Sequence, residues 1–174
     1  MARETLTQAA WIEAGLSQLA KQGALALRAE PLARHLKTTK GSFYWHFKDV
    51  PAFHKALLAH WKSQAMANVK ALDAAEGSAA EQMIGLGQSV QADASDSALR
   101  AWAQTDKKVA KVLAQVDAAR MERLGKLMHE MGNSNPDFTK AAYGSLIGLR
   151  QMKMDDGEAL IAYASLIDLV LALK

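Results

Sequence analysis

The 174-residue sequence has no cysteine, which excludes a disulfide framework, a thiolate metal site and a cysteine nucleophile. Only three prolines interrupt it, and aromatic residues make up 6%. No run of about 18 apolar residues occurs, so no membrane-spanning helix is expected. The N-terminus, MARETLTQAAW, lacks the apolar stretch of a secretion signal, and the cytoplasm is the expected location. Charge of one sign is barely in excess: 21 Lys and Arg stand against 18 Asp and Glu.

Half of the residues are hydrophobic and 22% are charged, the balance of a folded globular chain rather than a disordered one. The length is enough for one large core or two small ones. The small basic surplus is unevenly spread. Residues 1–60 carry eight Lys and Arg against four Asp and Glu, and the remainder thirteen against fourteen. Four of the five histidines also fall in the first sixty residues. A polyanion-binding module joined to a neutral body has this distribution, although a surplus of four charges is small.

Period-two alternation is hard to find and helical spacing recurs, so the chain reads as all-α, with about nine helices. Ile12, Leu16, Leu19 and Ala20 form the stripe of a first helix from about Thr5 to Gln22, closed by Gly23. A short helix over Ala29–Leu36 follows, with Pro31 tolerated in its first turn. A second short helix runs from about Thr39 to Trp45 or His46, with Phe43 and Phe47 facing inward. Asp49 is placed to cap a long helix beginning at Val50-Pro51, which ends before Asp73–Ala80. Further helices are expected over Ala79–Asp93, after Ser95-Asp96-Ser97, from Thr105-Asp106 to about Met131, over Pro136–Met152 and over Gly157–Leu173. Gly132-Asn133-Ser134-Asn135-Pro136 is the clearest turn.

Residues 28–48, RAEPLARHLKTTKGSFYWHFK, hold two short helices separated by a tight turn, the requirement of a helix-turn-helix. The second helix must lie in the major groove with its N-terminal half against base edges. Its outward face offers Thr39, Lys40, Ser42, Tyr44, Trp45 and His46, with Gly41 permitting close backbone approach. Lys48 and the first N–H groups of the Val50 helix are placed to meet a phosphate.

KTTKGSFYWHFKD closely resembles the recognition-helix signature of the TetR family, and Gly23, Leu27, Leu32-Ala33 and Leu36 follow that family's spacing without gaps. The resemblance covers residues 5–62, and Tyr44-Trp45-His46 is especially like the tetracycline repressors. It implies an N-terminal three-helix DNA-binding domain, residues 1–48, followed by a helical-bundle dimerisation and ligand domain, residues 49–174. By position it implies base or sugar-edge contacts for Thr39, Lys40, Ser42 and Trp45, phosphate contacts for Tyr44, His46 and Lys48, and a DNA contact for Arg28. Two departures stand out. Lys37-Thr38 replaces the usual Gly-Val at the turn, which predicts a looser turn. Glu30-Pro31 occupies positions that are commonly basic or polar, so Glu30 is expected to turn away from DNA or to read a cytosine amino group.

A single reading head makes few contacts, so a homodimer on a palindromic double-stranded operator is expected. The last helix is apolar nearly all round, as a helix packed on its own core and on a partner would be. The resemblance places the interface on the last two helices, at Tyr143, Gly144, Ile147, Gly148, Ile161, Ala164, Ile167, Val170 and Leu171. A family-type effector, small and apolar or amphipathic, would be lined by Trp61, Met83, Trp102, Met121, Met128 and His129, although Met and aromatic residues at helical spacing are more often plain core. Arg100, Asp117 and Arg120 are either a buried ionic group or surface charges in local pairs. No cofactor is implied. Ser, His and Asp stand in no catalytic arrangement and the histidines lack metal-ligand spacing, so an enzyme is not expected. Three readings remain: a repressor released by an effector, a DNA-binding dimer without ligand control, and an oligomerisation module whose helix-turn-helix has lost its function.

Overall fold

A computed structural model describes residues 6–152 and 154–172. Among them are nine α-helices: α1 (Gln8–Gln22), α2 (Ala29–His35), α3 (Lys40–His46), α4 (Val50–Ala71), α5 (Ala79–Ala92), α6 (Asp96–Ala103), α7 (Lys107–Glu130), α8 (Pro136–Gln151) and α9 (Asp156–Ala172). The fold is all-α, and a single 3-10 turn, Ala24–Ala26, joins α1 to α2. Thr5 and Leu173, expected at the ends of the first and last helices, lie outside the described residues. No helix of the described residues is long and apolar enough to cross a membrane.

The helix starts follow local capping chemistry. Thr7, Thr39 and Asp49 accept hydrogen bonds from Ala10 N, Ser42 N and Ala52 N, so α1, α3 and α4 each begin where a side-chain oxygen can satisfy an otherwise orphaned amide. Ser78 and Glu81 form a reciprocal capping box on α5, and these hydrogen bonds hold the Glu81 carboxyl below its ordinary range. Asp106 caps α7 through Lys108 N at 2.8 Å. Ser95 precedes α6 without capping it. Its backbone is already helical and its side chain makes no capping bond, while Asp96 turns along α6 to meet Arg100 Nε at 2.6 Å.

The chain divides into two compact units. The first holds the residues up to Ser63 together with Ala94–Leu113. Its centre is aromatic. Phe43 of α3 is fully buried, with ring centroids of Trp11, Phe47 and Phe53 all within 5.4 Å of its own. Full burial of a side chain of this size stabilises by about 1.5–3 kcal/mol, so Phe43 alone anchors α3 firmly. Gly15 lets α1 and α4 close on one another, because a Cβ there would stand 2.6 Å from Phe53 Cζ and 2.7 Å from Leu57 Cδ1. Helix α6 packs on α1 and on the 3-10 turn. Its Trp102 stacks edge-on to His54, whose Nε2 donates to the Leu27 carbonyl at 2.9 Å.

The second unit holds Gln64–Asp93 and the residues from Ala114 onward. Its core gathers Met83, Leu86 and Val90 of α5, Leu124, Leu127 and Met128 of α7, Ala142, Tyr143 and Leu146 of α8, and Tyr163, Ile167 and Val170 of α9. Arg150 ties α8 to the end of α5 by donating to the carbonyls of Gln91 and Asp93. Arg100 pairs with Asp96 in the first unit. In the second, Asp117 accepts the Tyr143 hydroxyl at 2.7 Å, and Arg120, 3% exposed, stands 4.0 Å from Asp93. Burial, above all, pushes the Tyr143 phenol up to about 12.

Candidate nucleic-acid interface

Helix α3 is held from beneath and bare on top. Phe43 and the following Phe47 point into the aromatic core, while Lys40, Gly41, Tyr44 and Trp45 face outward. Trp45 is 89% exposed, the most exposed large apolar side chain among the described residues. An indole in that position gains nothing for the fold of this unit, since its apolar surface stays in water. Tyr44 is half exposed, its ring at right angles to that of Phe43 with centroids 5.3 Å apart. Ser42 and His46 are half-buried, and the His46 carbonyl accepts from Gln8 Nε2 at 3.4 Å. Thr39 serves twice, as an exposed side chain and as the N-cap of α3. Arg28 and Lys48 are exposed at the two ends of the segment.

The turn between α2 and α3 departs from the expected looser form. Thr38 N–H reaches the Ala33 carbonyl at 2.9 Å and Lys37 N–H reaches the Arg34 carbonyl at 3.2 Å, which closes α2 as tightly as a glycine would. The backbone of Lys37 takes the strain, with φ at 52°, the only positive φ of a non-glycine residue among those described. The same closure at the end of α7 uses Gly132, at φ 86°, with Gly132 N–H to His129 O and Asn133 N–H to Met128 O. At the second departure, Glu30 runs along α2 to Arg34, 3.3 Å away. The expected phosphate site at the start of α4 is partly occupied by the protein itself. Asp49 takes the Ala52 amide at 2.7 Å, and Pro51 has no N–H to offer.

The other candidate residues are dispersed. Trp61 and Trp102 are buried in the first unit, whereas Met83, Met121, Met128 and His129 belong to the second. Met121 and His129 share an open depression of about 480 Å³ between α7 and α8, where His129 Nδ1 and Ser134 Oγ are 2.8 Å apart. Of the residues expected on a dimer face, Tyr143, Ile167 and Val170 are buried in the second unit's own core. Ile147, Ala164 and Leu171 are half-buried, and Gly144, Gly148 and Ile161 are exposed. Sequence reasoning passed over Leu169, which is 56% exposed on the same side of α9 as Ile161. Its signal was the spacing of the two residues, eight apart on a helix that is apolar all round.

A short, aromatic-bearing helix set on a packed core after a tight turn has the form of a helix-turn-helix. Comparison with known proteins points the same way. Residues 12–49 match the sequence model of bacterial regulatory proteins of the tetR family. No curated protein matches the chain. Among solved structures, it is similar to a TetR-family transcriptional regulator from Rhodococcus sp., at 19% identity and a TM-score of 0.78, over 94% of this chain and 98% of that one. A transcriptional regulator from Pseudomonas aeruginosa PAO1 matches at 14% identity and a TM-score of 0.68, over 95% and 90%. A regulator of the TetR/AcrR family from Thermobifida fusca YX-ER1 matches at 15% and 0.65, over 94% and 96%. Its head thus matches the TetR family's sequence model, and the whole chain shares the fold of these regulators.

Proposed function

We propose that this protein is a homodimeric repressor that binds a palindromic operator through α3 and leaves it when a small effector binds. The observation that carries the DNA-contacting part is the outward face of α3, where Lys40, Tyr44 and Trp45 stand exposed on a helix pinned by the fully buried Phe43. Lys40, Thr39, Ser42 and Trp45 read base and sugar edges, Gly41 allows close approach, and Tyr44, His46, Lys48 and Arg28 hold phosphates. Residues 1–48 act as the reading head, and residues 49–174 as the regulating and dimerising remainder.

Dimerisation is supported by α8 and α9. A Cβ placed at Gly144 or Gly148 would meet nothing within 4 Å, so this face of α8 is open to close approach by another helix. Ile161 and Leu169 leave 69% and 56% of their surface in water on α9, an unfavourable exposure that a second copy would relieve. Effector control has the thinner support. Trp61, Met83 and Met128 are fully packed, which favours the second reading, a dimer that binds its operator without ligand control.

The DNA-contacting part is tested by fluorescence anisotropy on long duplex DNA at low salt. Lys40→Ala and Tyr44→Ala should weaken binding with no change in melting temperature, and Lys40→Ala should also flatten the salt dependence by about one unit of slope. Loss of binding that tracks loss of stability would contradict the roles assigned.

A further inference from the structure

The one buried hydroxyl of the second unit's core that has no hydrogen-bond partner among the described residues belongs to Tyr163. Tyr163 is fully buried, surrounded by Met83, Leu86, Leu127, Met128, Met131, Leu146 and other apolar side chains. Its ring packs closely on α5, where a Cβ on Gly87 would stand 3.0 Å from Tyr163 Cδ1 and Cε1. A phenol shut away from water without a partner costs stability, and phenylalanine would fill the same space at no such cost. The hydroxyl is therefore a polar group in search of an acceptor.

The same two helices leave an open seam beside it. A depression of about 390 Å³ runs between α5 and α9, with Ala80, Ile84, Ala164 and Ile167 as its apolar lining and Glu81, Gln88 and Asp168 at its edge. Ile167 is one turn along α9 from Tyr163, and Ile84 one turn along α5 from Gly87. The volume lies within the range that small-molecule sites occupy, roughly 300–1,000 Å³. The core cluster that holds Tyr163 also holds Met83, Met128 and Met131, the side chains that rearrange most readily in a core.

We infer that Tyr163 anchors a ligand site that opens from the α5–α9 seam and takes a small neutral molecule, apolar except for one carbonyl or ether oxygen that accepts the Tyr163 hydroxyl. The side chains gathered with Tyr163 in this core are apolar, an environment that disfavours an ionic ligand. The inference rests on the effector reading proposed above and specifies the chemistry of that effector.

The test uses a pair of probes of like shape, acetophenone with a carbonyl and ethylbenzene without one. Affinities come from the rise in melting temperature with probe concentration, for the full chain and for Tyr163→Phe. The ligand-free Tyr163→Phe protein should melt at or above the wild type, since it sheds an unsatisfied hydroxyl. Acetophenone should bind the wild type roughly 3- to 10-fold more tightly than ethylbenzene, the worth of one neutral hydrogen bond. That advantage should vanish in Tyr163→Phe. Equal affinities of the two probes for the wild type, no stabilisation by either, or an advantage that survives in Tyr163→Phe would each overturn the inference. Operator release is scored separately with the same acetophenone. Binding without release would leave the site standing and remove effector control from the proposed function.

Discussion

Lys37 offers the sharpest perturbation, because one residue carries a cost that a single substitution removes. Its φ of 52° is the left-handed conformation, which costs a residue with a Cβ roughly 1–2 kcal/mol. Glycine adopts it freely but adds conformational freedom to the unfolded chain, which takes back about 0.4–1 kcal/mol. Lys37→Gly should therefore stabilise the protein by about 0.5–1 kcal/mol, a rise of roughly 1–4 °C in melting temperature for a chain of this length. Lys37→Ala is the control. It keeps the strained backbone and removes the ammonium group, so it reports what the side chain itself contributes. Thermal melting and urea unfolding of the three proteins decide the matter. The difference between the Gly and Ala variants is the strain less glycine's extra unfolded-chain entropy, free of any loss of charge. Both variants should also lose the same increment of DNA affinity, because both lose one cation. The reasoning is refuted if Gly is no more stable than Ala, or if Gly destabilises.

Gly15→Ala should destabilise by about 1–3 kcal/mol in urea unfolding, since the new methyl has to displace Phe53 and Leu57 from a filled aromatic core. Gly144→Leu adds a Cβ that meets none of the described residues within 4 Å, so it should keep the far-ultraviolet circular dichroism while altering sedimentation; unchanged association would place the dimer face elsewhere. The Tyr143 phenol titrates near 12 in the folded state against about 10 unfolded. A pKa raised by folding stabilises fully below the unfolded value, so stability should fall as pH rises from 10 towards 12. Tyr143→Phe should lose part of that dependence, read from melting temperature against pH.

Helix positions were legible because the chain marks them chemically. Asp49, Asp106 and the Gly132–Pro136 turn stand where helices stop and start, and caps act over three or four residues. The inward direction of Phe43 and Phe47 was legible for the same reason, four-residue spacing on a short helix. What lay beyond the sequence were choices made by distant packing. Helix α9 is apolar nearly all round, so periodicity could not say which side it turns inward. The fold places Ala159, Tyr163, Ile167 and Val170 there and leaves Ile161 and Leu169 outside. Trp61 and Trp102 read as pocket-lining side chains, yet neither shares a unit with Met83 or Met128. Nor does any local rule send α6 back to α1. Lys37 is different in kind. The substitution was visible as a departure, and the expectation of a looser turn failed because the hydrogen bonds closing α2 outweigh the left-handed strain.

The central claim is that α3 reads a duplex sequence. Selection of bound sites from a random duplex pool, at low salt and with the full chain, tests it most directly. The account predicts enrichment of an inverted repeat whose half-sites lie about one helical turn, 10–10.5 base pairs, apart, and loss of that enrichment in Lys40→Ala and Trp45→Ala. Failure to enrich any sequence, or equal enrichment by the two variants, would contradict it.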